Sequence, residues 1–159
     1  MTPARKILYD ANIDDFGNLE PDQIMGLTIY AEARGEIRAG RIGVGTVILE
    51  RVDHRDWDGK SIMDVCLWPY QFSCYLPRDP NRAQLVRLAG DFGLFYQKSQ
   101  PLRECADIAR GLIEGTIPRD PELAAAHCCQ YLTTAAKSHT EWWMCMRFIK
   151  KIGAHEFYG

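Results

Sequence analysis

From residue 21 onward, stretches with an apolar residue every three or four positions alternate with stretches where proline, glycine or clustered aromatics break that rhythm. Pro21 and Asp22 open the first. Ile24, Leu27, Tyr30 or Ala31, and Arg34 fall at the spacing of one helix face, and Gly35 is placed to end it. A second helix is predicted from Ala39 to about Val52, on Ile42, Val44, Val47, Ile48, Leu49 and Val52. Gly43 and Gly45 inside it would each cost about 1 kcal/mol relative to alanine in an exposed helix, so another backbone or side chain is expected to come close there. Ser61-Ile62-Met63-Asp64 has the form of a capping box that starts a short helix. "WPYQFSCYLPRDPNR" then predicts a long aromatic and proline-rich loop. The cleanest helix runs from Pro101 to Gly115, with Leu102, Cys105, Ile108, Ala109, Leu112 and Ile113 on one side. In the tail, "AAAHCCQYL" and "RFIKKIGAHEFYG" suit short extended segments, and "TTAAKSHTEWWMCM" between them fits neither period. Residues 1–20 suggest a polar N-terminal arm, leaving 21–159 as one domain. Helices first and a strand pair last predict an α+β fold, mainly helical with a small C-terminal β element.

Composition narrows the function. At 159 residues, 47% hydrophobic and 25% charged, the chain can bury a core of its own. A net charge of −2, with no basic block longer than two residues, offers no field for nucleic acid. No run of about 18 apolar residues exists to insert in a membrane. "MTPARKILYDANIDDFGNLEPDQ" carries acidic and polar residues where a secretory signal needs an apolar core, so none is expected. The six cysteines, Cys66, Cys74, Cys105, Cys128, Cys129 and Cys145, form no C-x-x-C pair and are expected to be reduced and packed. A metal protein built on His127, Cys128, Cys129 and His139 is the alternative reading. The Gly40, Gly43, Gly45 series lacks the order of a phosphate cradle.

Within "IYAEARGE", Glu32 and Glu36 lie four apart, and like charges at that spacing on a helix repel by a few tenths of a kcal/mol. A helix break at Gly35 puts Glu32 on the last turn, near Ile29, Tyr30 and Arg34, and sends Glu36 onto the loop. Apolar walls disfavour an ionised carboxyl, raise its pKa and keep it a proton donor near neutral pH, which suits a general acid. The plainer alternative pairs Glu32 with Arg34 or Arg51 on a solvated face.

"IYAEARGE" with Gly40, "GVGTVILERV", "WPYQFSCY" and "IGAHEFYG", in that order over about residues 24–158, resemble the cell-wall hydrolase family of the spore-cortex-lytic, SleB-like type. The resemblance implies a compact lysozyme-like catalytic domain that cleaves peptidoglycan glycan strands, with Glu32 as the catalytic acid. It also implies that Gln71, Phe72 and Ser73, and His155, Phe157 and Tyr158, line or support the substrate groove. Ala31, Glu50 and "AHCCQYL" depart from the residues usual in the family. Cleavage by lytic transglycosylation needs only Glu32, which first gives its proton to the glycosidic oxygen and then takes one from the muramyl C6 hydroxyl. A muramidase-type hydrolase needs a second carboxylate, for which Glu36 and Asp64 are the candidates. Glu36 is alternatively an acceptor for loop amides, and Asp64 a helix cap.

Trp68, Tyr70, Phe72 and Tyr75 are candidates to stack on sugar faces, with Tyr70 to Tyr75 expected at the groove. Trp57, and Trp142 and Trp143 with Met144 and Met146, are expected to fill core. His155 is either a substrate contact or a satisfied histidine on a strand. The expected substrate-binding set is thus Glu36, Tyr70, Gln71, Phe72, Ser73, His155 and Tyr158, with no metal or cofactor and a monomeric state. The resemblance and the missing signal together suggest an enzyme made in the cytoplasm that reaches the wall through a separate pore, as phage endolysins do. A non-catalytic peptidoglycan-binding or virion module on the same fold is the rival of a different class.

Overall fold

The computed structural model describes residues 1–54 and 60–159; Trp57 lies outside them. Eight α-helices, α1 (Pro3–Phe16), α2 (Pro21–Ala33), α3 (Arg38–His54), α4 (Ile62–Leu67), α5 (Arg82–Gly90), α6 (Phe92–Lys98), α7 (Gln100–Glu114) and α8 (Pro121–Ala125), precede or flank a small sheet among the described residues. Its strands are β1 (Gln130–Thr133), β2 (Phe148–Ile152) and β3 (His155–Tyr158). They pair antiparallel in the order β1-β3-β2. The α+β architecture expected from the order of the patterns is present.

α2 is the centre of the molecule. Ile24, Met25, Gly26, Leu27, Thr28, Ile29 and Tyr30 are all buried, so this helix is apolar nearly all round instead of along one stripe. Gly26 lets the α7 backbone at Ala106 come close. α7 is amphipathic as its pattern predicts, with Ser99 capping its start and Gly115, at φ 77°, its end. α3 works on two sides. Val44 and Ile48 join the main core, and Val47 joins a second cluster with Leu123, Cys128, Ile152 and Phe157 under the sheet. Both interior glycines of α3 are close-approach positions: a Cβ at Gly43 would meet the Phe157 ring at 2.8 Å, and one at Gly45 would collide with Leu112.

Several elements differ from the sequence expectation. The polar arm expected over residues 1–20 is the helix α1, which buries Phe16 in the core and Asn12, whose Nδ2 donates to Leu67 O at 2.8 Å. α5 and α6 fill residues 82–98, where no element was predicted. "AAAHCC" is the end of α8 and a turn, so the extended segment shrinks to β1. "TTAAKSHTEWWMCM" forms two 3₁₀ turns, Thr134–His139 and Trp142–Cys145. The expected core residues Trp142 and Met144 are 37% and 64% exposed. The segment covers Tyr158 on that face of the sheet, Trp142 meeting its ring edge-on at 5.9 Å, while Trp143 and Met146 are half-buried and the outer side of the segment faces water.

Candidate active site

Glu32 sits on the last turn of α2, half-buried where α2, the 71–81 loop and β1 meet. Tyr131 on β1 donates its hydroxyl to Glu32 Oε2 at 2.9 Å. Burial is the largest influence on the Glu32 carboxyl and raises its pKa; hydrogen bonds from Tyr131 and the Cys74 thiol, and the charge of Arg51, pull the other way. Asp79 adds a smaller upward push. The pKa of Tyr131 is raised by burial and by the neighbouring Glu32 charge, and that of Cys74 by the same two causes, so both remain protonated donors. The result is a carboxyl whose neutral form is favoured by its walls and whose ionised form is met by two neutral donors and one guanidinium. A group that must give and then regain a proton needs both.

Arg51, on α3, is itself buried. Its Nε donates to Cys129 O at 2.9 Å, its guanidinium lies 4.9 Å from the Phe72 ring centroid, and its Nη1 has no hydrogen-bond partner among the described residues. This arrangement replaces the solvated Glu32–Arg pair that was the plainer reading: Arg51 acts on Glu32 through a buried field. Arg34 points elsewhere, stacking over Tyr30 at 5.1 Å and bonding Asn81.

The expected binding residues divide. Phe72 is 2% exposed, and Cys74 and Tyr75 are equally buried, so this part of the loop is core and not a sugar-stacking surface. Its aromatic run turns inward because Tyr75 OH reaches Thr28 Oγ1 on α2 at 2.8 Å and Phe16 packs edge-on to the Tyr75 ring. Gln71 is half-buried and Ser73 exposed. Tyr70 is exposed, in a left-handed conformation at φ 70°, and takes the Arg5 guanidinium over its ring on the α1 side. Glu36 is a loop acceptor. Its Oε2 takes the Ala154 N–H at 3.1 Å in the β2–β3 turn, over Gly153 at φ 57°, where any Cβ would displace it. Ser61 is the cap of α4, its Oγ accepting from the Asp64 N–H at 3.0 Å, while the Asp64 carboxylate accepts from Ser61 Oγ at 2.8 Å and from Tyr9 OH at 2.5 Å.

His155 and Tyr158 fall on opposite faces of β3. His155 is 3% exposed, packs edge-on to Tyr131 at 5.1 Å, and has its pKa lowered by burial against a smaller upward pull from Glu36, so it is neutral at pH 7. It supports Tyr131 from behind instead of lining a groove. Tyr158 is 2% exposed on the other face, its ring packed by Trp142, Trp143 and Phe148, and it lines a cleft of about 410 Å³ with Lys137 and Met146. The alternation of a strand separates them, as residues three apart must point oppositely. Phe157 belongs to the cluster under the sheet.

Tyr131, Cys74 and Asp79 carry no signal in the sequence that links them to Glu32, and Arg51 is offered there only as a surface partner. All four act on Glu32 only through tertiary contacts. The metal reading on His127, Cys128, Cys129 and His139 does not assemble: Cys128 is buried with its thiol on Gln130 O and Tyr158 O, and His139 is exposed on a 3₁₀ turn.

Residues 35–158 match the family model described as cell wall hydrolase, and the chain belongs to that family. Its fold is that of two solved relatives. The catalytic domain of the germination-specific lytic transglycosylase SleB from Bacillus anthracis is 24% identical, with a TM-score of 0.63, over 90% of this chain and 98% of that one. The catalytic domain of the Bacillus cereus SleB protein is 22% identical, with a TM-score of 0.53, over 91% and 96%. These likenesses establish the fold of a SleB catalytic domain. No curated protein matches the chain. The matched segment begins at Gly35, three residues after Glu32, so the family match does not cover Glu32.

Proposed function

We propose that this protein cleaves the glycan strands of peptidoglycan as a lytic transglycosylase, with Glu32 as the single acid and base. The observation that carries the reading is the Glu32 carboxyl, half-buried, raised in pKa, and held by Tyr131 at 2.9 Å. Family membership and the SleB-type fold support the substrate class, and the relative from Bacillus anthracis is itself described as a lytic transglycosylase. Protonated Glu32 gives its proton to the glycosidic oxygen as the bond to C1 breaks. The Glu32 carboxylate, now hydrogen-bonded by Tyr131 and Cys74, takes the proton of the muramyl C6 hydroxyl as that oxygen bonds to C1. The glycan leaves with a 1,6-anhydro end, and the carboxyl is again protonated.

Both acids that the sequence offered as a hydrolytic partner are engaged elsewhere, Glu36 by the Ala154 amide and Asp64 by Tyr9 and Ser61. A second reading, as a muramidase-type hydrolase, is favoured by one observation: the Asp79 charge is felt at Glu32. Digestion of purified peptidoglycan in ¹⁸O-water separates the two. Transglycosylation gives muramyl products one water lighter than hydrolytic ones and free of ¹⁸O; products carrying ¹⁸O at C1 would transfer the assignment to the hydrolase, with Asp79 as the residue to replace first.

A further inference from the structure

Glu50, His54 and His127 meet in a cluster that the proposed chemistry does not use. Their ligand-capable atoms all lie within 4.8 Å of one another. Glu50 and His54 are one helical turn apart on α3, so they share a face, while His127 arrives from the turn between α8 and β1. Glu50 Oε2 lies 3.3 Å from His54 Nε2 and 3.3 Å from His127 Nδ1. Charge-assisted hydrogen bonds run at about 2.7–2.9 Å, so these are long for direct pairing. They match instead the edge of a tetrahedron whose metal–ligand bonds are 2.0–2.1 Å, roughly 3.3–3.4 Å. The two imidazole rings stand 4.0 Å apart between centroids.

We infer that Glu50, His54 and His127 bind a divalent transition-metal ion of the zinc type. Glu50 is 2% exposed, and its other oxygen, Oε1, takes the Arg119 guanidinium at 2.7 Å, which leaves Oε2 for the ion and fixes its direction. Arg119 is shared with Asp53 at 2.6 Å, so the carboxylates outnumber the guanidinium by one around the site and favour a cation. The His127 backbone is held at φ 48°, a conformation uncommon for a non-glycine residue, and this turns its ring toward α3. Both histidines are partly exposed, at 42% and 62% of the side chain, so the fourth position opens to water. The bound ion fastens the end of α3 to the start of β1. Arg51, the residue after Glu50, already bonds Cys129 O there, and β1 carries Tyr131 to Glu32. The ion therefore stabilises the wall of the proposed active site and does not take part in its chemistry.

The test uses the full chain without a histidine tag, the variants His54→Ala and His127→Asn, and Zn²⁺ alone. Asn tolerates the left-handed backbone at 127, and both side chains are exposed enough for the variants to fold. Calorimetry is expected to give one equivalent of Zn²⁺. The melting temperature should rise by ~5 °C at a hundredfold excess over the Kd. Each variant should lose at least about tenfold in affinity. Co²⁺ in place of Zn²⁺ should give visible bands of a nitrogen- and oxygen-ligated ion without a thiolate charge-transfer band. No binding at sub-millimolar Zn²⁺, equal affinity in wild type and both variants, or a thiolate band that assigns the ion to cysteine would each overturn the site.

Discussion

Glu32 is asked to be stable neutral and serviceable ionised, and those demands leave a measurable trace on folding. Its folded-state pKa is raised above the ordinary carboxylate range, chiefly by burial. The fold therefore keeps the whole contribution of neutral Glu32 below the unfolded value of about 4.3 and loses it as pH rises through the folded value. Gln has the shape of the neutral acid and still accepts from Tyr131. Glu32→Gln should therefore match wild type in thermal unfolding near pH 4 and melt higher than wild type at pH 8; a variant less stable than wild type at pH 8 would contradict the raised pKa. Tyr131 has the opposite action, since its hydrogen bond lowers the Glu32 pKa. Tyr131→Phe should move the alkaline limb of the pH–rate profile upward while kcat falls, because the acid is held but its carboxylate is less well met. An alkaline limb that stays or moves down would remove Tyr131 from the site.

At the scale of elements, α3 determines whether the two clusters share one frame. Gly45 admits Leu112 of α7 and, at 3.2 Å from its missing Cβ, Ile29 and Met25 of α2. Gly45→Ala should lower stability by about 1–3 kcal/mol, the usual cost of overpacking, seen as a fall in melting temperature; an unchanged or raised value would mean that α7 can withdraw freely. Helical periodicity made α2, α3 and α7 legible in the sequence, and the α3 glycines were legible as close approaches because nothing else tolerates them in a helix. α5 and α6 were not, since a nine-residue and a seven-residue helix carry too few turns for a stripe to stand out. The 71–75 segment misled for a different reason. Its proline-rich flanks signal a loop, yet Phe72, Cys74 and Tyr75 are buried by what α2 offers them, and no local pattern encodes that. The position of Glu32 at a helix end was legible in the sequence, whereas the groups that act on it come from residues 51, 74, 79 and 131, separated along the chain and joined only by the fold.

In the whole molecule, a central apolar helix delivers one carboxyl to the seam between a helical body and a three-stranded sheet. Glu36 pins the β2–β3 turn to the loop after α2, Lys150 ties β2 to Asp120 and Glu122 at α8, and Tyr131 closes the seam over Glu32. Nearly all of this serves to hold Glu32 half out of water beside donors that remain protonated. The proposed function uses this carboxyl for proton transfer, and general acid–base catalysis is worth about 10²- to 10⁴-fold in rate. The most direct measurement is cleavage of purified peptidoglycan by Glu32→Gln, with products followed by mass spectrometry and folding checked by thermal unfolding in the same buffer. The expected result is a folded variant whose release of 1,6-anhydro-muramyl products falls by at least about 10²-fold. A folded Glu32→Gln protein that cleaves at near the wild-type rate would show that the proton comes from another residue.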